Sequence, residues 1–197
     1  MKKALQQRSV ATRARLLAVG DEIVGEAGYG ALRVEEVVAR AGVAKGTFFA
    51  HFQDKDTLMD HLIGARIDAH LDRLAALPAP GDVEALADAM LPLLLFLSSE
   101  RFVFDVVLRR SGAAAYEEIG PIAATLGRLA ELFAGWLPAA PFRLDVAPQI
   151  LTEGFEALSM QVLALNFCAL GKTLPLRERY VAYLRAWLMP PLAGSKG

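Results

Sequence analysis

The chain has 197 residues, of which 54% are hydrophobic and 22% are charged, and its formal net charge is −1. This length suffices for one sizeable core or for two small domains that share a long helix. No uncharged apolar run reaches the ~18 residues that a membrane span needs. The single cysteine, Cys168, cannot form an internal disulfide, which fits a reducing compartment. The basic N-terminus lacks a following apolar stretch, which argues against a signal peptide and predicts a cytoplasmic protein.

Charge is distributed unevenly along the chain. Residues 1–55 contain nine lysines and arginines against six acidic residues, whereas the remainder contains 12 basic and 16 acidic residues. The first part therefore carries a net charge of +3 and the rest carries −4. A polyanionic partner would meet the N-terminal part and be repelled by the remainder.

The first predicted helix covers residues 8–27. Leu16, Val19 and Ile23 recur at the spacing that forms one helix face. The glycines between residues 25 and 30 resemble a nucleotide-binding loop only superficially, because they follow a helix rather than a strand. We therefore expect them to end the helix.

Two short helices with a tight turn between them are predicted next. The apolar stripe of residues 34–41 indicates a helix, and Gly42 can adopt the positive φ that ends it and turns the chain. A second helix is predicted over 45–52, where Phe48 and Phe52 share one face as core residues. Hydrogen-bond donors surround that face. This arrangement is typical of a helix-turn-helix.

From about Arg13 to Leu58 the chain closely resembles the N-terminal signature of the TetR family of tetracycline-repressor-like regulators. The match combines Gly-Tyr after helix 1, an Ala-Gly-Val turn, Lys-Gly-Thr-Phe-Phe, His-Phe and a downstream lysine. The resemblance implies an all-α fold of about nine helices. It also implies a helix-turn-helix DNA-binding domain at 1–55 and a ligand-binding and dimerisation domain at 56–197.

The resemblance implies contacts with double-stranded DNA, made by donors to phosphate oxygens and by small residues that approach the groove floor. Phe49 stands where the family often has a phosphate-binding tyrosine, so only van der Waals contact to sugar or a thymine methyl remains. Arg33 replaces the usual serine or threonine cap of helix 2, which costs ~1 kcal/mol, but it could reach a phosphate. The candidate DNA-binding residues are Arg13, Arg33, Lys45, Gly46, Thr47, Phe49, Ala50, His51 and Lys55.

Helical patterns continue to the end of the chain. Asp54 and Asp82 are predicted to cap the helices that follow them, and Pro92 interrupts the second of these. The predicted helices after residue 54 run to 77, from 82 to 98 or 99, and then over 101–110, 116–119, 121–137, 145–170 and 176–189.

An apolar ligand pocket is a further prediction. For any one of the central methionines and aromatic residues, filling the core is the better interpretation, but together they suggest an adaptable pocket lining. Arg109, Arg110, Glu117 and Glu118 cluster near a potential mouth. The candidate lining residues are Met90, Leu94, Phe102, Phe133, Phe155 and Met160.

The last two helices each carry an apolar stripe, which predicts a homodimer that pairs them as a four-helix bundle. A monomer would bury one such stripe on its own core, so a second one suggests surface left for a partner. The stripes consist of Ile150, Leu151, Leu158, Val162 and Leu165, and of Tyr180, Tyr183, Leu184, Trp187 and Leu188.

The sequence contains no recognisable catalytic motif, metal site or cofactor site. His61 and His70 lie nine residues apart, which places them on opposite helix faces, so they cannot share a metal. We therefore expect no enzyme, no cofactor and no membrane partner. The favoured function is a sequence-specific transcriptional regulator, most often a repressor in this family, that a small, largely apolar ligand releases from a palindromic operator. The alternative is a DNA-binding structural or protein-partner adaptor without a small-molecule inducer.

Overall fold

The computed structural model describes residues 2–111, 119–139, 141–168 and 174–189, with side chains from residue 6 onward. All regular secondary structure in these ranges is helical, which confirms the predicted all-α fold, and two short 3-10 turns, Tyr29–Ala31 and Leu137–Ala139, supplement the α-helices. The helices are α1 (Lys2–Ala27), α2 (Val34–Ala41), α3 (Lys45–Phe49), α4 (Lys55–Ala75), α5 (Val83–Leu97), α6 (Arg101–Arg110), α7 (Pro121–Trp136), α8 (Pro148–Phe167) and α9 (Leu176–Leu188).

Two predicted helix caps are confirmed by hydrogen bonds. The Asp54 carboxylate accepts from the Thr57 amide at 2.7 Å, and the Asp82 carboxylate accepts from the Ala85 amide at the same distance. Each satisfies an amide of the first turn that has no carbonyl partner within the helix. These caps fix the starts of α4 and α5.

Several predicted helix limits are wrong. Helix α1 begins at Lys2 rather than at residue 8, and α3 ends at Phe49 because the chain tightens there, with the His51 amide donating to the Phe48 carbonyl. Helix α8 begins at Pro148 rather than at residue 145, because proline favours the first helical position. Helix α8 ends at Phe167, short of the predicted residue 170, and Ile119, the last residue of the helix predicted over 116–119, is not helical. The rest of that predicted helix, with Glu117 and Glu118, lies outside the described residues.

The chain divides into two compact units. Unit 1 comprises Met1–Arg66 and Phe102–Ala123. In this unit α1 packs against α2, and α2 packs against α3. Its core includes the fully buried side chains of Leu16, Ile23, Leu32, Phe48 and Phe52.

Unit 2 comprises Ile67–Arg101 and Ala124–Gly197. Helix α9 packs against α5 and α8, and the rings of Phe133 and Phe155 are stacked with centroids 4.0 Å apart. At Gly154 the α8 backbone lies so close to the Trp187 indole that a Cβ atom would overlap the ring. The proposed functional division between residues 55 and 56 stays a prediction, because packing units do not report function.

Candidate nucleic-acid interface

The turn between α2 and α3 is built around a left-handed glycine. Gly42 has φ 62° and ψ 40°, a conformation that costs little without a Cβ atom. Its amide donates to the Ala39 carbonyl, and the Val43 amide donates to the Val38 carbonyl at 3.0 Å. This pair of bonds satisfies the last carbonyls of α2 and redirects the chain into α3.

Helix α3 has a buried face and an exposed face. Phe48 and Phe52 are buried, as their spacing predicts, with ring centroids 5.6 Å apart. Phe49 points the other way and is 48% exposed. On the solvent side, Lys45, Gly46, Phe49 and Ala50 are exposed, and Thr47 and His51 are half-buried. The structure thus presents six predicted DNA-binding residues together, while their roles in DNA contact stay predictions.

Lys45 is paired within the protein. Its Nζ lies 2.6 Å from the Glu35 carboxylate of α2, and this hydrogen bond holds the pKa of Glu35 below its usual value. Both side chains are more than half exposed, so the pair is weak and a phosphate could replace the carboxylate. Sequence reasoning missed this pair.

Arg33 occupies the N-cap position of α2 and makes no side-chain cap bond, as predicted. Its guanidinium donates instead to the carbonyls of Gly30 at 2.7 Å and Leu32 at 2.9 Å. Both bonds use the same nitrogen, so the other guanidinium N–H groups still point away from these carbonyls. Arg33 therefore closes the loop before α2 while it remains exposed.

The start of α4 is held by α6. Lys55 places its Nζ 4.5 Å from the centre of the Phe102 ring, a cation–π contact. Arg109 pairs with Asp56 at 2.9 Å, and Arg110 lies 3.5 Å from Asp54. The sequence suggested that both arginines lie near a pocket mouth, but the structure pairs them with the segment that follows the helix-turn-helix.

Arg13 belongs to a cluster that joins α1 to α4. One guanidinium nitrogen lies 2.6 Å from His61 Nε2. The guanidinium also lies 4.8 Å from the centre of the Phe52 ring, and His61 meets the same ring at 5.9 Å in an edge contact. Burial and the nearby Arg13 charge lower the pKa of His61. The sequence alone gave no sign of this cluster, since Arg13 and His61 are 48 residues apart.

The candidate pocket residues are distributed over both units. Met90, Leu94, Phe133 and Phe155 are buried in unit 2 and Met160 is half-buried there, whereas Phe102 belongs to unit 1. Unit 1 contains a groove of about 490 Å³ between α1 and α4, which none of these six residues lines. Its walls are Leu17, Ala18, Asp21, His61, Leu62, Ala65 and Arg66.

Membrane-spanning helices and metal-binding clusters are both absent from the described ranges. Among the helices that the structure describes, none is long and apolar enough to cross a membrane. No group of three or more histidine, cysteine, aspartate or glutamate side chains in the described part of the chain is arranged to hold a metal ion.

Comparison with known proteins connects this geometry to a family. Residues 16–62 match the bacterial regulatory proteins of the tetR family. The chain is 28% identical over 155 residues, 72% of each protein, to the HTH-type transcriptional repressor BepR of Brucella suis biovar 1 (strain 1330).

Solved structures share the fold. RolR in complex with resorcinol superposes with a TM-score of 0.67 at 20% identity, over 93% of this chain and 91% of that one. FadR of Bacillus subtilis in complex with stearoyl-CoA gives a TM-score of 0.58 at 14% identity, over 89% and 97%. The segment that matches the tetR-family model contains the α2–turn–α3 unit described above, and the chain as a whole shares the fold of these solved structures.

Proposed function

We propose that the chain is a cytoplasmic, homodimeric repressor that a small, largely apolar ligand releases from a palindromic operator. The observation that carries this proposal is the exposed face of α3, held by the Gly42 turn over the buried Phe48 and Phe52 rings. A helix presented in this way fits the major groove. The similarity to a repressor supports the sign of regulation.

In the proposed complex, phosphate donors fix the position of the helix-turn-helix domain (residues 1–55), which we call the head, and small residues approach the bases. Two heads related by a two-fold axis would enter successive major grooves about 34–36 Å apart. Because Gly46 and Ala50 offer little for direct readout, part of the specificity comes from DNA shape. The proposed contact residues are Arg13, Arg33, Lys45, Gly46, Thr47, Phe49, Ala50, His51 and Lys55.

Partial exposure on α8 and α9 supports the proposed dimer. Within one protomer Leu151, Val162, Tyr180, Leu184 and Leu188 are buried, so half of the predicted stripe residues belong to the protomer core. Ile150 is 46% exposed. The other four, Leu158, Leu165, Tyr183 and Trp187, are half-buried and leave apolar surface for a second copy.

The proposed ligand is largely apolar because the buried side chains of unit 2 are almost all apolar, with Met90, Phe133 and Phe155 among many leucines. The RolR structure contains resorcinol and the FadR structure contains stearoyl-CoA, so regulators with this fold accept organic ligands. The proposal uses Met90, Leu94, Phe133, Phe155 and Met160 of unit 2. Phe102 lies against Lys55 in unit 1 instead.

A mobility-shift assay with the DNA that flanks the chain's own gene tests the proposal. We expect the protein to form a complex with a palindromic segment of this DNA. Some fractions of a metabolite extract should dissociate that complex. The same ligand should raise the melting temperature by mass action and lower operator affinity by the reciprocal coupling factor. Failure to bind any flanking DNA would refute the regulator proposal. DNA binding without stabilisation by any compound of a broad apolar library would favour the adaptor instead.

A further inference from the structure

The hydrogen bond between Arg13 and His61 can form in only one protonation state. An arginine guanidinium has donors but no acceptor. At 2.6 Å, His61 Nε2 must therefore carry the lone pair, and the imidazole must be neutral with its proton on Nδ1. A protonated imidazole would place a donor against a donor and a positive charge against a positive charge.

Both partners rest on the core of the DNA-binding head. The Arg13 guanidinium covers one part of the Phe52 ring and His61 meets another part. Phe52 in turn packs against Phe48, the buried residue of α3. The orientation of Arg13 is thus fixed by a ring of the head and by one acceptor on α4.

We propose that neutral His61 is a positioning residue for DNA binding, which holds Arg13 ready for a phosphate and releases it on taking up a proton. This inference rests on the proposed function, in which Arg13 is a phosphate donor. The bond to His61 uses one of the five guanidinium N–H groups, so the others can reach phosphate oxygens. Loss of the acceptor frees the long side chain to sample other rotamers.

The charged surroundings of His61 compensate for protonation only in part. Asp60 raises the pKa of His61, but burial and the Arg13 charge lower it by more. Asp60, the preceding residue, is buried and its carboxylate accepts from the Ile122 amide at 2.9 Å. Asp21 on α1 pairs with Arg66 on α4 at 3.0 Å along the same groove. The other acidic groups near the start of α4 are paired with arginines of α6, Asp54 with Arg110 and Asp56 with Arg109.

The proposal is testable because it predicts a change in DNA affinity opposite to the one that simple electrostatics predicts. A positive charge added close to DNA normally strengthens binding. Here protonation of His61 should weaken binding, since it costs a phosphate contact. By linkage, DNA binding should then lower the pKa of His61, whereas the field of the phosphates alone would raise it.

The test measures binding to a labelled random duplex of about three helical turns at low salt, by fluorescence anisotropy. All proteins carry His51→Gln, so that the second histidine of the proposed interface is absent from every comparison. Between about pH 7.5 and pH 5.5, the affinity of the protein that retains His61 should fall about threefold to tenfold, the range between exposed and charge-assisted contacts. His61→Gln supplies a neutral acceptor and should remove this fall. His61→Lys should bind more weakly than His61→Gln at both pH values.

Several outcomes would overturn the proposal. These are parallel pH profiles for the proteins with and without the His61→Gln substitution, tighter binding by the His61→Lys variant, and a rise in the pKa of His61 on DNA binding. Imidazole nitrogen shifts measured by NMR on the wild-type chain, with and without the duplex, give that pKa without a substitution. Absence of any duplex binding at pH 7.5 is a separate result, because it refutes the proposed function itself together with this inference.

Discussion

Three cations that we propose to contact DNA each have a partner within the protein. Lys45 lies on Glu35, Lys55 lies over Phe102, and Arg13 lies on His61. Each cation is therefore held by the protein in the absence of DNA. Glu35 is exposed, whereas Phe102 and His61 are half-buried. The contact of Lys45 should therefore exchange for phosphate at little energetic cost, and the other two orient their cations more firmly.

Lys55→Ala should weaken binding to all duplexes, because the contact proposed for Lys55 is to phosphate and carries no sequence information. The slope of log affinity against log salt should become shallower by about 1. Arg73→Ala is the matched control, since Arg73 is an exposed cation on the same helix in unit 2. Equal affinities and slopes for the Lys55→Ala variant and the wild type would show that Lys55 does not contact DNA.

His61 should also link stability to pH. Its pKa in the folded chain is lowered by burial and by Arg13, so the unfolded chain binds the proton more tightly. The free energy of unfolding should be fully retained above the unfolded pKa of about 6.5 and should fall as the pH drops toward the folded pKa. Urea unfolding of the wild type and of His61→Gln across this window measures the effect. A constant difference between the two proteins would contradict it.

At the scale of helices, the sequence correctly predicted those helix limits and caps that depend on residues close together in the chain. The limits of α2 and α6 and the caps at Asp54 and Asp82 follow from apolar spacing, Gly42 and short acceptor side chains. The start of α8 was missed because Pro148, which takes the first helical position, competes with Asp145 as a helix-start signal. Pairs such as Arg110 with Asp54 could not be predicted, since one sequence carries no information on which distant side chains meet.

Gly42→Ala should destabilise the head by about 1–2 kcal/mol, because an L-residue at φ 62° brings its Cβ close to the following carbonyl. Gly25→Ala is the matched control, since a Cβ atom added at this helical glycine would meet no atom beyond its own helix. That control should stabilise by about 0.5–1 kcal/mol. Thermal unfolding monitored by circular dichroism distinguishes the two, and equal shifts for both variants would rule out the left-handed turn.

At the scale of the whole molecule, the proposed recognition of a palindromic operator would depend on two linked heads. One short α3 helix, with the small residues Gly46 and Ala50 proposed to approach the bases, offers few base contacts, so a single head should bind weakly. Linking two heads through a dimer raises the effective concentration of the second head at its half-site. The proposed α8–α9 interface is therefore expected to affect DNA affinity without touching DNA.

Ile150→Lys tests this linkage. Ile150 lies on α8 and is 46% exposed in the protomer, so lysine should leave the fold intact while it buries a charge at the dimer interface. We expect the dimer dissociation constant, measured by light scattering or sedimentation, to rise by at least about tenfold, equivalent to ~1.4 kcal/mol. Operator affinity should fall with it at low protein concentration.

Leu144→Lys is the control, because Leu144 is 80% exposed and precedes α8. It adds the same charge and should change neither the dimer nor the DNA affinity. If Ile150→Lys stays as dimeric as this control, the copies must pair through another surface. If instead the dimer dissociates while operator affinity is unchanged, one head suffices for recognition. That result would contradict the proposed palindromic operator but not the proposed DNA binding by the helix-turn-helix.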